Sequence, residues 1–136
     1  MTITEYSKLI KEENEKFIIF IKYGKFYRCF GYDAYIIHYL FSYKLTSRET
    51  IGFPIENITK VLSFLKNNNI STIVVNNNIN YIKYECPNNK YNYFLNKSLS
   101  YYNNSESKKI LINLIEEKIA EDYSLIYKIK DFVENL

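Results

Sequence analysis

Along the 136-residue chain the spacing of apolar positions changes several times, and each change marks a new element. Residues 4–16 set Tyr6, Leu9 and Ile10 among charged side chains, with Thr4 placed to cap, which predicts a short amphipathic helix. Residues 17–23 (FIIFIKY) then read as a buried strand and 26–30 (FYRCF) as a second. Gly24 and Lys25 lie between them. Glycine in the first loop position suits a type II′ hairpin turn, because that position needs a positive φ.

Asp33 is placed to cap the next segment, AYIIHYLFSYKL, whose length and apolar content favour a largely buried helix. Gly52 and Pro54 in IGFPIE break it off. From 56 to 69, Ile58, Val61, Leu62 and Leu65 recur at helical spacing until Asn67, Asn68 and Asn69 end the run. A strand at 70–75 (ISTIVV) follows, so helix and strand form an αβ unit of the kind found in a mixed or parallel sheet. The alternating stretch 79–85 (INYIKYE) predicts a strand that pairs back as a hairpin, and 87–104, rich in Asn, Tyr and Ser, reads mostly as loop. Residues 105–136 keep one apolar face through Leu111, Leu114, Ile115, Ile119, Ile126, Ile129, Val133 and Leu136. That segment is one long helix, or two if Asp122 to Ser124 splits it.

Composition narrows the class. With 47% hydrophobic and 24% charged residues, the chain is far from the make-up of a disordered one, and its length suits one core. The net charge of +3 is mild, but residues 1–104 carry 13 Lys/Arg against 8 Asp/Glu, while 105–136 carry 5 against 7. The basic excess therefore sits in the body of the chain. Cys29 and Cys86 have no partner at metal-ligand spacing, and the first residues include no apolar run that reads as a signal peptide. Free thiols in the cytoplasm are expected, with no membrane association, because the longest apolar run is far too short to cross a bilayer.

Two stretches, FIIFIKYGKFYRCFGYDA and LTSRET followed by IGFPIENITKVLSFLKNNNISTIVV, together resemble the N-terminal, mismatch-reading domain of the DNA mismatch repair protein MutS. The first is similar to the hairpin that opens that domain, with its strand, glycine turn and Phe-Tyr-Glu. The second is similar to its Leu-Thr segment and its Gly-Ile-Pro, helix, strand order. The likeness fades after Val75, where the family's Cys-Glu-Gln does not occur. It implies an α/β fold with a mixed sheet flanked by helices, residues 1–104 forming the DNA-reading domain. Residues 105–136 would add a helical segment packed on that domain or used for self-association.

In that family the Phe of Phe-x-Glu wedges beside a mispaired base from the minor groove, and the Glu hydrogen-bonds the same base. Phe26 stands at the wedge position, and an aromatic ring there can replace part of a stack already weakened by poor pairing. The family's Glu is replaced by Arg28. A guanidinium donates only, so it can reach A N3, T O2 or a phosphate oxygen but cannot accept a hydrogen bond from a base. Lys22, Lys25, Lys44 and Arg48 are expected to supply phosphate contacts flanking the wedge. The resemblance thus implies non-catalytic binding of duplex DNA, mispaired or distorted. The rival expectation is an interaction or regulatory module that kept the fold and lost DNA binding, with the C-terminal helix pairing two copies.

Catalytic and nucleotide chemistry finds little support. The three glycines, at 24, 31 and 52, are too scattered for a phosphate cradle, so an ATPase is expected only as a separate partner. His38, the single histidine, sits inside an apolar helical run with no nucleophile or carboxylate placed beside it, and reads as a packed residue. No metal or cofactor is expected from two thiols and one imidazole.

Overall fold

A computed structural model describes all residues from 1 to 136. The chain divides into two compact units, Met1–Ser100 and Tyr101–Leu136. The first holds a five-stranded mixed sheet built from β1 (Ile18–Tyr23), β2 (Phe26–Phe30), β3 (Thr50–Pro54), β4 (Thr72–Val75) and β5 (Tyr81–Tyr84). Their spatial order is β3-β2-β1-β4-β5, with β1 and β4 parallel and every other pair antiparallel. The parallel pair at the centre follows from the αβ unit, since a helix must carry the chain back before β4 can run beside β1.

Alternation along the strands sorts side chains to two faces. On one, Ile18, Phe20, Tyr27, Cys29, Ile51, Phe53 and Val74 form a single core with α2 (Tyr32–Phe41), α3 (Ile58–Asn67) and the first turns of α4 (Tyr91–Glu121). On the other, Ile19, Ile21, Ile73 and Val75 pack beneath Ile10 and Ile3 of α1 (Ile3–Glu13). Both central strands are therefore buried on both faces, which is why FIIFI is apolar without alternation.

The hairpin joining β1 to β2 has the expected two-residue loop, with Tyr23 paired to Phe26. Gly24 adopts φ 56° and is the only loop residue with positive φ, as a II′ turn requires. Helix α3, preceded by one 3-10 turn at Ile55–Asn57, ends where the asparagines begin, and Asn69 takes a left-handed φ of 56°.

The structure corrects the sequence reading at four places and settles one alternative. Helix α1 is capped by Thr2 and not by Thr4: the Thr2 hydroxyl accepts from Glu5 N, and the Glu5 carboxylate accepts from Thr2 N, a full capping box. Helix α2 begins at Gly31 without a side-chain cap, because the Asp33 carboxylate is turned inward. Residues 50–54, read as a helix breaker, form edge strand β3. Proline is tolerated there because Pro54 ends a strand at the rim of the sheet.

The fourth correction is the largest. Residues 91–104, read as loop, belong to α4. Their propensity is poor, but Tyr91, Leu95 and Ser98 are buried, and tertiary packing outweighs propensity. Asn89 prepares the start by accepting from Tyr91 N at 3.3 Å and from Ser71 N at 3.0 Å. Of the one or two C-terminal helices expected, two form, and the break falls at the expected Asp122–Ser124: α4 stops at Glu121 and α5 spans Leu125–Glu134. Asp122 makes the break by accepting from both the backbone N–H and the hydroxyl of Ser124. Those bonds hold its carboxyl below the usual carboxylate range.

Asp33 is the polar centre of the first unit. Its Oδ1 accepts from Lys11 Nζ and from the Tyr91 hydroxyl, each at 2.7 Å, and its Oδ2 from Ile19 N at 3.0 Å. One carboxylate thus ties α1, β1 and α4 to the start of α2. Burial pushes its pKa up despite these donors, and the same burial, with the charge of Asp33 beside it, pushes the Tyr91 phenol far up.

Candidate nucleic-acid interface

Helix α1 covers only the columns of β1 and β4 on its side of the sheet. Over β2 the same face is open, and the alternation of FYRCF turns Phe26, Arg28 and Phe30 outward while Tyr27 and Cys29 enter the core. Phe26 is 48% exposed at the end of the hairpin, and Phe30 is 38% exposed at the other end of the strand. Their β3 neighbours by register are Pro54, Gly52 and Thr50, short side chains that leave the rings standing above the sheet.

Arg28 lies between the two rings. Its guanidinium carbon stands 4.9 Å from the centre of the Tyr23 ring, and its Cγ passes over Gly52, 3.7 Å from where a β-carbon there would lie. Tyr23 is fixed in turn by a hydroxyl–hydroxyl bond to Thr4 of α1. The stacked guanidinium keeps its N–H donors available, because stacking uses its face and leaves its edge free. No ion pair involves Arg28, Lys22, Lys25, Lys44 or Arg48, so all five charges are unneutralised by a carboxylate.

The remaining basic residues are spread around this face and do not all share it. Lys25 is in the hairpin loop beside Phe26, and its carbonyl accepts from Ile55 N at 3.0 Å, which ties the loop to the end of β3. Lys22 pairs with Tyr27 and so projects from the opposite face of the hairpin. Lys44 and Arg48 belong to the connection before β3: Arg48 lies in the turn where Thr46 N donates to the Thr50 carbonyl, at the Thr50 end of the ladder, whereas Lys44 follows Tyr43, whose ring centre stands 5.5 Å from that of Phe53 on the core side of the sheet. Four residues at about 3.3 Å each separate the Thr50 end from Phe26, roughly 13 Å. Arg48 is therefore near the end of the β2–β3 ladder remote from Phe26, with Arg28 midway.

Two members of the face were not singled out from sequence. Phe30 follows from Phe26 by strand alternation, and Tyr23 from the hairpin register, which makes it the cross-strand neighbour of Phe26. Beside Phe30 a cleft of about 240 Å³ opens toward α1, walled by Ile19, Ile21 and Phe30 and rimmed by Ser7, Lys8 and Lys11. His38 is a structural residue: its Nδ1 donates to the Tyr43 carbonyl at 2.7 Å, just past the end of α2.

Cys29 and Cys86 are both free thiols, and no helix is long and apolar enough to cross a membrane. No curated protein matches the chain. The family model for MutS domain I matches residues 2–83, which span all five strands of the sheet but for the last residue of β5, together with the hairpin that carries Phe26. That family is one of DNA mismatch recognition, which supports a related DNA-binding role. By a match over more than half its length, the chain belongs to the MutS domain I family.

Proposed function

We propose that this protein is a non-catalytic module that binds duplex DNA, inserting the Phe26 ring between base steps from the minor groove. The observation that carries the reading is the exposed ring at the end of a hairpin in a family of DNA readers, beside an unpaired guanidinium. A wedge of this kind unstacks one step at a cost of a few kcal/mol, less where the step is mispaired or flexible. Mispaired or distorted duplexes are therefore the preferred targets.

Arg28 gives the proposal its own character. A carboxylate at that position would accept a hydrogen bond from a displaced base. The guanidinium instead donates to a minor-groove acceptor or to phosphate. Selection then rests on how easily the duplex deforms, with Arg28 adding affinity at every sequence. Lys25 and Lys22, on the two sides of the hairpin end, are suited to the flanking phosphates, and Lys44 and Arg48 to a phosphate further along.

Fluorescence anisotropy with matched and mispaired duplexes tests this. Removal of one stacking ring by Phe26→Ala is expected to weaken binding about 5- to 150-fold. Arg28→Ala should weaken matched and mispaired duplexes alike. With Lys22, Lys25 and Arg28 each neutralising one phosphate, raising salt from about 50 to 200 mM should cost at least roughly 40-fold in affinity, and about threefold more for each further phosphate neutralised by Lys44 or Arg48. Unchanged affinity of both variants for both duplexes refutes the wedge.

A further inference from the structure

The unit Tyr101–Leu136 folds into helix without burying a single side chain. Ile110 and Leu114 are exposed on one side of α4, and on the opposite side Ile112 is exposed while Ile115 and Ile119, which share its face, are half-buried. Solitary helices of this length are marginal in water, because nucleation is costly and most helical stability in proteins comes from packing an apolar face. The chemistry of that face specifies what packs on it.

Ile112, Ile115 and Ile119 are spaced three and four residues apart, the repeat that keeps one seam of a helix facing a partner helix. Lys108 continues the seam one turn earlier, with an alkyl stem that packs and a head that reaches water. Along one flank of this seam lie Lys109 and Glu116, seven residues apart and so on the same side of the helix. Neither neutralises the other at that separation, about 10 Å along the axis. Lys109 has only a weak, exposed contact with Glu106 at 3.3 Å, and Glu116 has no ion-pair partner.

We propose that residues 105–121 pair antiparallel with the same segment of a second copy of this chain, about a two-fold axis passing between Asn113 and Leu114. In that arrangement Ile112 meets Ile115 of the second copy, and the reverse contact repeats by symmetry, as a two-fold interface demands. Like flanks face each other across an antiparallel pair, so Lys109 stands opposite Glu116 of the second copy, twice. A parallel pair sets Lys109 against Asn104 and Glu116 against Leu111, leaving all four charges unmatched. The charge pattern thus selects both the occupant and its direction, and a dimer carries two copies of the open face that holds Phe26.

Analytical ultracentrifugation of the full chain over a concentration series tests the pairing. A reversible monomer–dimer equilibrium is expected. Because each substitution alters two ion pairs, Lys109→Glu and Glu116→Lys should each weaken dimerisation roughly 10- to 30-fold. The double variant Lys109→Glu with Glu116→Lys should return to within about threefold of the original. Ile112→Asp, at an exposed position where the monomer has nothing to lose, should leave the chain monomeric with its far-UV circular dichroism intact. A chain that stays monomeric throughout, a dimer that survives Ile112→Asp, or a double charge swap that fails to rescue would each overturn the proposal.

Discussion

Replacing Asp33 with alanine should strongly destabilise the first unit. The carboxylate is buried and accepts from Ile19 N at 3.0 Å and from the Tyr91 hydroxyl and Lys11 Nζ at 2.7 Å each. Alanine leaves the Ile19 N–H and the Tyr91 hydroxyl without acceptors, at about 1–3 kcal/mol apiece. Lys11 loses less: its side chain is 34% exposed, and its ammonium keeps a 2.7 Å bond to the Phe17 carbonyl. The sum is about 3–5 kcal/mol, the usual cost of removing one partner from a buried ion pair. For a domain whose total stability is about 5–15 kcal/mol, that is a large fraction. Urea unfolding followed by circular dichroism measures it. With a slope of about 1–3 kcal/mol per molar urea, the midpoint should fall by roughly 1–5 M, about 2 M at the middle of both ranges, at unchanged slope. A loss below about 1 kcal/mol would show that water replaces the carboxylate at all three donors, and that the tie between α1, β1 and α4 is not what holds them.

Three further outcomes follow from the same geometry. Burial raises the Asp33 pKa in the folded protein above its unfolded value, so its contribution is fully present below the ordinary carboxylate range and is lost as pH rises through the raised value. The stability gap between the protein and Asp33→Asn should therefore narrow across that window in denaturant titrations at stepped pH, and a gap that widens would reverse the sign of the reasoning. Gly24→Ala places a β-carbon at φ 56° where no atom lies within 4 Å, so the cost is backbone strain alone, about 1–2 kcal/mol in a thermal melt. The Tyr43 hydroxyl is buried without a hydrogen-bond partner, so Tyr43→Phe should stabilise by about 1 kcal/mol, and a loss of stability would reveal a bond to that oxygen.

Much of the scaffold was legible in the sequence because periodicity is a local signal. The hairpin, its glycine turn and the outward placement of Phe26 and Arg28 follow from the apolar run of the first strand, the alternation of FYRCF in the second and one loop position that needs a positive φ. Helix α3 and strand β4 announced themselves through spacing and the asparagine run. The unmatched pair Lys109 and Glu116 is likewise written in heptad spacing.

What the chain order alone could not fix are facts about neighbours distant in sequence. Residues 50–54 become a strand only because β2 offers an unpaired edge, and 91–100 become helix only because the core has room for Tyr91 and Leu95. Asp33 sits where a helix cap would stand, yet its three donors come from residues 14 to 58 positions away, at Ile19, Lys11 and Tyr91. Whether Lys44 and Arg48 lie near Phe26 was equally undetermined: the turn from Thr46 to Thr50 holds Arg48 at the end of the ladder away from Phe26, while the packing of Tyr43 on Phe53 draws Lys44 back along β3. A sequence states which side chains want a partner, but packing against remote segments decides which partner each one finds.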